Sequence, residues 1–313
     1  MIRDVLVRDV GPRDGIQSLP LPAVPLDVKR RLVEGLAAAG LARIEAGSFV
    51  SPRAVPQMAD SAPLFEWPST SATLEAVVVN ERGAKAAADA GAQVLVGVVA
   101  VSDAFSHRNV GQSTADAIAE LGRIASVALD RSIPVTVDLA TAFGCAYTGR
   151  VPVDDVTRVA ATVAEFGVDE ITLADTIGAA APNDITEAVA AVGDRVGDDV
   201  AVGLHLHDTR GLGLANVCAG LDAGVRRFDA SVGGLGGCPF SPGATGNICT
   251  EDLGHLLHAL GYEAGVDLDA LIDVSSTLAA DLGVTLPSHL LRAGPRFRAA
   301  RPTPADRTGA PSR

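Results

Sequence analysis

Residues 170–208 read EITLADTIGAAAPNDITEAVAAVGDRVGDDVAVGLHLHD. The stretch opens on a short apolar run at 170–175 and closes on another at 200–207. Between them an Ala-rich segment at 183–196 stops at Gly197. Short, nearly continuous apolar runs fit strands covered on both faces. The middle segment has the length and terminal glycine of a helix. Strand, helix and parallel strand form one unit, and the unit recurs. Further strand-like runs lie at 5–10, 43–47, 73–79, 94–100, 134–140 and 227–232. Helical patterns lie at 26–39, 114–130, 154–166, 209–223 and 250–260, several ending at a glycine such as Gly40, Gly167, Gly224 or Gly261. This repeated alternation predicts an α/β fold, a closed (β/α)8 TIM barrel, over an open doubly wound sheet. No GxGxxG follows the first run, which disfavours a dinucleotide fold. An additional C-terminal helix is expected at 268–281. The reading is one catalytic domain over 1–291, followed by a flexible basic tail over 292–313.

The composition narrows the function classes. The 313-residue chain is 48% hydrophobic but only 4% aromatic, so its core is built from Ala, Val, Leu and Ile. A net charge of −13 gives no basic footprint for nucleic acid. Cys145, Cys218, Cys238 and Cys249 form no CxxC pair, which fits free thiols in a reducing compartment. The charged start and the absence of a long apolar run argue against a signal peptide or a membrane span, so a cytoplasmic location is expected.

Catalytic residues of such barrels sit where strands end and in the loops that follow. Those positions hold Arg13 and Asp14 after strand one, Glu45 in strand two, Asp175 after strand six, and His205 and His207 at strand seven. Cys238 and Asn247 lie in and after the glycine-rich loop that follows strand eight. Residues i and i+2 of a strand point the same way, so His205 and His207 can converge on one cation. Asp14 offers a hard oxygen, and the Asn247 amide can complete the shell. Imidazole with carboxylate and amide suits Mg²⁺, Mn²⁺, Co²⁺ or Zn²⁺. Arg13 presents a fork of donors suited to an enolate or carboxylate. Glu45 and Asp175 need a cation nearby to be buried, and either can act as a base or support the ligands. Cys238, in a mobile loop near a cation, is a plausible acid or base.

These residues lie in motifs that resemble one family. VGPRDGIQ (10–17), IEAGSFVSPRAVPQMADS (44–61), ITLADTIG (171–178), HLHDTRGLGLAN (205–216) and SVGGLGGCPFSPGATGN (231–247) are similar, in order, to motifs of 3-hydroxy-3-methylglutaryl-CoA (HMG-CoA) lyases. The resemblance implies divalent-metal-dependent retro-Claisen cleavage of HMG-CoA, or of a related 3-hydroxy-acyl-CoA, to acetoacetate and acetyl-CoA. It implies Asp14, His205, His207 and Asn247 as metal ligands, with Mg²⁺ or Mn²⁺ favoured. Arg13 would stabilise the enolate, Cys238 would protonate it, and Glu45 and Asp175 would stand near the reacting hydroxyl. A homodimer is the family expectation. An aldolase or acyltransferase acting on a 2-oxo acid such as pyruvate is the alternative. Departures from the family pattern cluster on the substrate side. Ser18, Leu19 and Pro20 follow the first motif, Thr136 and Asp138 replace an Arg and a Tyr, and Asp281 and Gly283 stand where CoA-contacting Asn and Lys are expected. Asp138 in the barrel mouth would repel an anionic substrate unless a cation holds it.

Overall fold

In each strand alternate side chains turn inward, and that alternation decides what fills the barrel. The computed structural model describes residues 4–66, 70–237 and 246–297. Its strands are β1 (Leu6–Asp9), β2 (Arg43–Ser48), β3 (Thr73–Val78), β4 (Val94–Ala100), β5 (Val135–Ala140), β6 (Gly144–Cys145), β7 (Gly149–Arg150), β8 (Glu170–Ala174), β9 (Ala201–His205) and β10 (Arg227–Ala230). All except β6 and β7 are parallel and close in the order β1-β10-β9-β8-β5-β4-β3-β2. The eight runs read from the sequence are thus the eight staves of a (β/α)8 barrel. The antiparallel β6–β7 hairpin was not anticipated, being too short to leave a periodic signal.

The helices are α1 (Leu26–Ala38), α2 (Ala62–Phe65), α3 (Glu81–Ala90), α4 (Asp103–Val110), α5 (Thr114–Arg131), α6 (Val153–Ala164), α7 (Pro182–Val196), α8 (Gly213–Asp222), α9 (Thr250–Ala259), α10 (Leu268–Leu282) and α11 (His289–Ala293). Local chemistry sets their ends. Ser113 caps α5 by accepting from the Asp116 amide at 3.0 Å, and Asn80 caps α3 through the Gly83 amide at 2.8 Å. The helix expected from 209 begins at Gly213, because the Asp208 carboxylate accepts from the Gly213 amide at 2.8 Å. α11 crosses the domain boundary expected at 291, and most of the predicted tail, 298–313, lies outside the described residues. Among the described residues, no helix is long and apolar enough to cross a membrane.

Outward strand residues form the apolar core. Val137, Leu139, Ile171, Leu173 and Leu204 are fully buried against the helix ring. Val156, Val159, Ala160 and Val163 of α6 answer from the helix side. Burying each such Val, Leu or Ile contributes about 1.5–3 kcal/mol. The inner face departs from the expectation of an Ala, Val, Leu and Ile core, because Arg8, Arg43, Glu75, Asp138, Glu170 and Asp229 point inward and are buried. Arg43 donates to Glu75, and to Glu170 at 2.6 Å. Arg227 reaches the same Glu170 oxygen at 2.6 Å, and Arg8 bridges Glu75, Asp138 and Asp229. Gly203 makes room for this layer, since a Cβ there would stand 3.0 Å from Glu170 Oε1.

Candidate active site and metal centre

β1 ends in the tight turn Gly11–Gly15, which lifts Arg13 and Asp14 over the C-terminal mouth of the barrel. The parallel register sets Arg8 of β1 beside Asp229 of β10, and Asp229 beside His205 of β9. His205 and His207 share one face, as their spacing predicts, and their Nε2 atoms lie 3.1 Å apart. His205 Nδ1 is 3.1 Å from Asp229 Oδ2. A carboxylate only accepts, so Nδ1 carries the proton and Nε2 is left for a ligand. Donor atoms of Asp14, His205 and His207 all lie within 4.8 Å of one another. Asn247 joins them, donating Nδ2 to Asp14 Oδ2 at 2.8 Å, while its buried Oδ1 meets no donor. Gly236 permits that approach. Its φ is +137°, and a Cβ would fall 2.6 Å from Asn247 Nδ2.

Electrostatics prepares the same point. Burial would raise Asp14, but Arg13, His205 and His207 hold its carboxyl below the usual range. Burial, and then His205, push His207 down to about 4, leaving a neutral imidazole with an available lone pair. Arg13 donates Nε to Glu45 Oε1 at 2.5 Å and Nη1 to Asp14 Oδ1 at 2.8 Å. Burial opposes the Arg13 charge, yet Glu45 and Asp14 raise its pKa overall. Glu45 is fully buried, its carboxyl pushed up to about 7 by burial against the pull of Arg13, and its Oε2 has no donor. In the barrel and its mouth, four arginines (8, 13, 43, 227) face six carboxylates (14, 45, 75, 138, 170, 229). That leaves a formal excess of two negative charges. The charge excess, the converging Nε2 atoms and the orphaned Asn247 oxygen fit a divalent cation of the harder or borderline kind.

The cluster lines a cavity of about 280 Å³, with Arg13, Asp14, Asp138, His205 and His207 on its polar wall and Val98, Phe105, Ala140 and Ala174 on its apolar wall. Asp175 is not on that wall. Its two oxygens accept from the Ala179 amide at 2.8 Å and the Ala180 amide at 3.0 Å, so the carboxylate holds the β8–α7 loop. Cys238 lies outside the described residues. Asp138 has the cation its position demanded, since Arg8 Nη2 donates to Oδ1 at 2.8 Å. On α10, Asp281 pairs with Arg31 at 3.0 Å, and Gly283 ends the helix at a φ of 64°. The sequence reading missed Asp229 and Gln17. Gln17 donates to Asp14 Oδ1 at 2.7 Å, and its position one turn after Asp14 was the available signal.

Fold and site together define a barrel enzyme with a metal-ready mouth. The HMGL-like family model matches residues 4–278. The (R)-citramalyl-CoA lyase of Chloroflexus aurantiacus is 42% identical over 305 residues, covering 94% of this chain and 96% of the relative. The hydroxymethylglutaryl-CoA lyase of Pseudomonas mevalonii is 43% identical over 283 residues, covering 89% and 93%. An HMG-CoA lyase structure from Acinetobacter baumannii, in complex with coenzyme A and 3-methylmalate, superposes with a TM-score of 0.90 at 38% identity, covering 95% of this chain and 97% of that one. The chain belongs to the HMGL-like family and is a carbon–carbon lyase.

Proposed function

We propose that the protein cleaves a 3-hydroxy-3-methyl acyl-CoA by a divalent-metal-dependent retro-Claisen reaction, releasing acetyl-CoA. HMG-CoA would yield acetoacetate, and citramalyl-CoA, whose carboxylate sits on the carbinol carbon, would yield pyruvate. The observation that carries this reading is the buried convergence of Asp14, His205 and His207 beside Arg13 on one cavity wall.

Asp14, His205, His207 and Asn247 would hold the cation, Mg²⁺ or Mn²⁺ first and Co²⁺ or Zn²⁺ as alternatives. When bound it supplies positive charge that acidifies a carbinol hydroxyl. Asp229 orients His205, and Gln17 orients Asp14. Arg13, fixed by Glu45, places a guanidinium where negative charge grows on the thioester oxygen as the carbon–carbon bond breaks. Glu45 is assigned the role of orienting Arg13. Cys238 is assigned protonation of the enolate carbon. A homodimer in the cytoplasm completes the proposal.

The test offers the purified enzyme Mg²⁺ or Mn²⁺ with HMG-CoA and, separately, with citramalyl-CoA. Acetyl-CoA with acetoacetate or with pyruvate is the expected result. No acetyl-CoA from either thioester would overturn the reading.

A further inference from the structure

The carboxylates at the barrel mouth differ in what occupies them. Asp14 accepts from Arg13, Gln17 and Asn247. Glu45 is fully buried behind Arg13, and Asp175 lies off the cavity wall with each oxygen accepting from a backbone amide. Asp138 faces the cavity, and Arg8 binds only one of its oxygens, Oδ1. Among the described residues, no hydrogen bond reaches Oδ2.

The placement is firm. Asp138 shares its inward phase on β5 with Thr136 and Ala140, and the register sets it between Val98 of β4 and Thr172 of β8. Arg8 is 1% exposed and also bound to Asp229 and Glu75, so it fixes Asp138 and cannot swing away. The chain Asp138–Arg8–Asp229–His205 therefore ties this carboxylate rigidly to a residue of the metal cluster. Asp138 also lies near enough for its charge to act on Arg13, Glu45 and His205. It is an anchored acceptor with one oxygen available on the wall that carries the reacting groups.

We infer that Asp138 Oδ2 is the general base that removes the carbinol proton of the substrate, a catalytic role resting on the lyase reading above. The hydroxyl proton passes to Oδ2. The O–H electron pair becomes the new carbonyl π bond, and the bond between the carbinol carbon and the thioester α-carbon breaks. Its electron pair becomes the enolate of acetyl-CoA, which takes a proton at carbon. Asp138 then returns its proton to solvent, and no oxidant or reductant is consumed. General-base assistance of this kind contributes about 10²–10⁴-fold.

The experiment uses Asp138→Asn and Asp138→Gly in the metal-loaded, full-length enzyme. Both keep the Asp229 and Glu75 partners of Arg8, so Arg8 is not stranded. Cleavage by Asp138→Asn should fall at least about hundredfold. In Asp138→Gly, added formate should restore turnover in proportion to its concentration. A second readout is exchange of acetyl-CoA methyl protons with D2O, followed by NMR. That half-reaction needs no carbinol base, so Asp138→Asn should retain it within about threefold while cleavage is lost. Cleavage by Asp138→Asn within threefold of the parent overturns the assignment. So does parallel loss of cleavage and exchange without formate rescue, the mark of a merely structural residue. A parent enzyme that neither cleaves nor exchanges overturns the lyase reading itself, which separates the two failures.

Discussion

At the N-terminal end of the barrel, Arg43 meets Glu75 and Glu170, Arg227 shares Glu170, and Arg8 reaches Glu75 and Asp229. At the C-terminal mouth, residues of the same types stop short of that completeness. Glu45 Oε2, His207 Nδ1 and Asn247 Oδ1 are buried without partners. The lower layer is paired throughout, whereas the upper one leaves these three atoms open. Buried polar atoms rarely go unsatisfied without reason. The contrast teaches that charge in a barrel interior does not mark function. Incomplete satisfaction beside a cluster of converging ligand atoms does.

The sharpest way to break this comparison is to remove a mouth residue. His205→Ala or Asp14→Ala should lower kcat/KM by three orders of magnitude or more, of the size expected when a metal ligand is lost. Mn²⁺ binding measured by calorimetry should weaken in step. In the metal-free enzyme the melting temperature of Asp14→Ala should hold or rise, since the excess of like charge falls. A large drop in melting temperature would mean that the mouth is structural after all.

The converse substitution lies in the lower layer. Arg43→Ala removes one of the two arginines that each of Glu75 and Glu170 holds, leaving them Arg8 and Arg227 beside a vacated site. Removing one partner of a buried ion pair costs about 3–5 kcal/mol. Urea unfolding should show that loss, while kcat of the folded fraction stays within a few-fold of the parent. An unchanged unfolding midpoint would break the distinction between the two layers.

The two layers also differ in how far the sequence reveals them. Strand positions, helix stops at glycine, and the phase of His205 and His207 all follow from local periodicity. The barrel and the convergence of His205 with His207 were therefore legible. The partners of Arg8 were not, because Asp229 and Asp138 stand 221 and 130 residues away in the chain. Only the closed register brings them together. Asp175 shows a subtler limit. Glu170, Thr172 and Ala174 take the inward phase of β8, so the next residue falls out of phase and turns to the loop amides. A strand-end carboxylate is recognisable in sequence, but its phase is one residue from being wrong.

Asp9 supplies the intermediate case, a buried carboxylate with hydrogen bonds but no cation. It accepts from the Gly11 amide at 2.8 Å and the Thr250 hydroxyl at 2.6 Å, and no described ion pair includes it. Burial pushes its carboxyl up to about 7, and nearby Glu251 adds to the rise. An unfolded Asp releases its proton near about 4, whereas the folded protein holds it to about 7. The stability this contributes is full below the unfolded value and is lost as pH climbs through the folded one. Asp9→Asn mimics the protonated form and removes the penalty. At pH 8 the variant should be more stable than the parent by an amount on the order of a few kcal/mol. The advantage should shrink as pH falls toward 5, where the parent carries its own proton. Urea denaturation at intervals between those pH values reads the difference directly. Parallel stability curves for the two proteins would show that the hydrogen bonds alone satisfy the charge, and that a cation is not what separates a quiet buried carboxylate from a costly one.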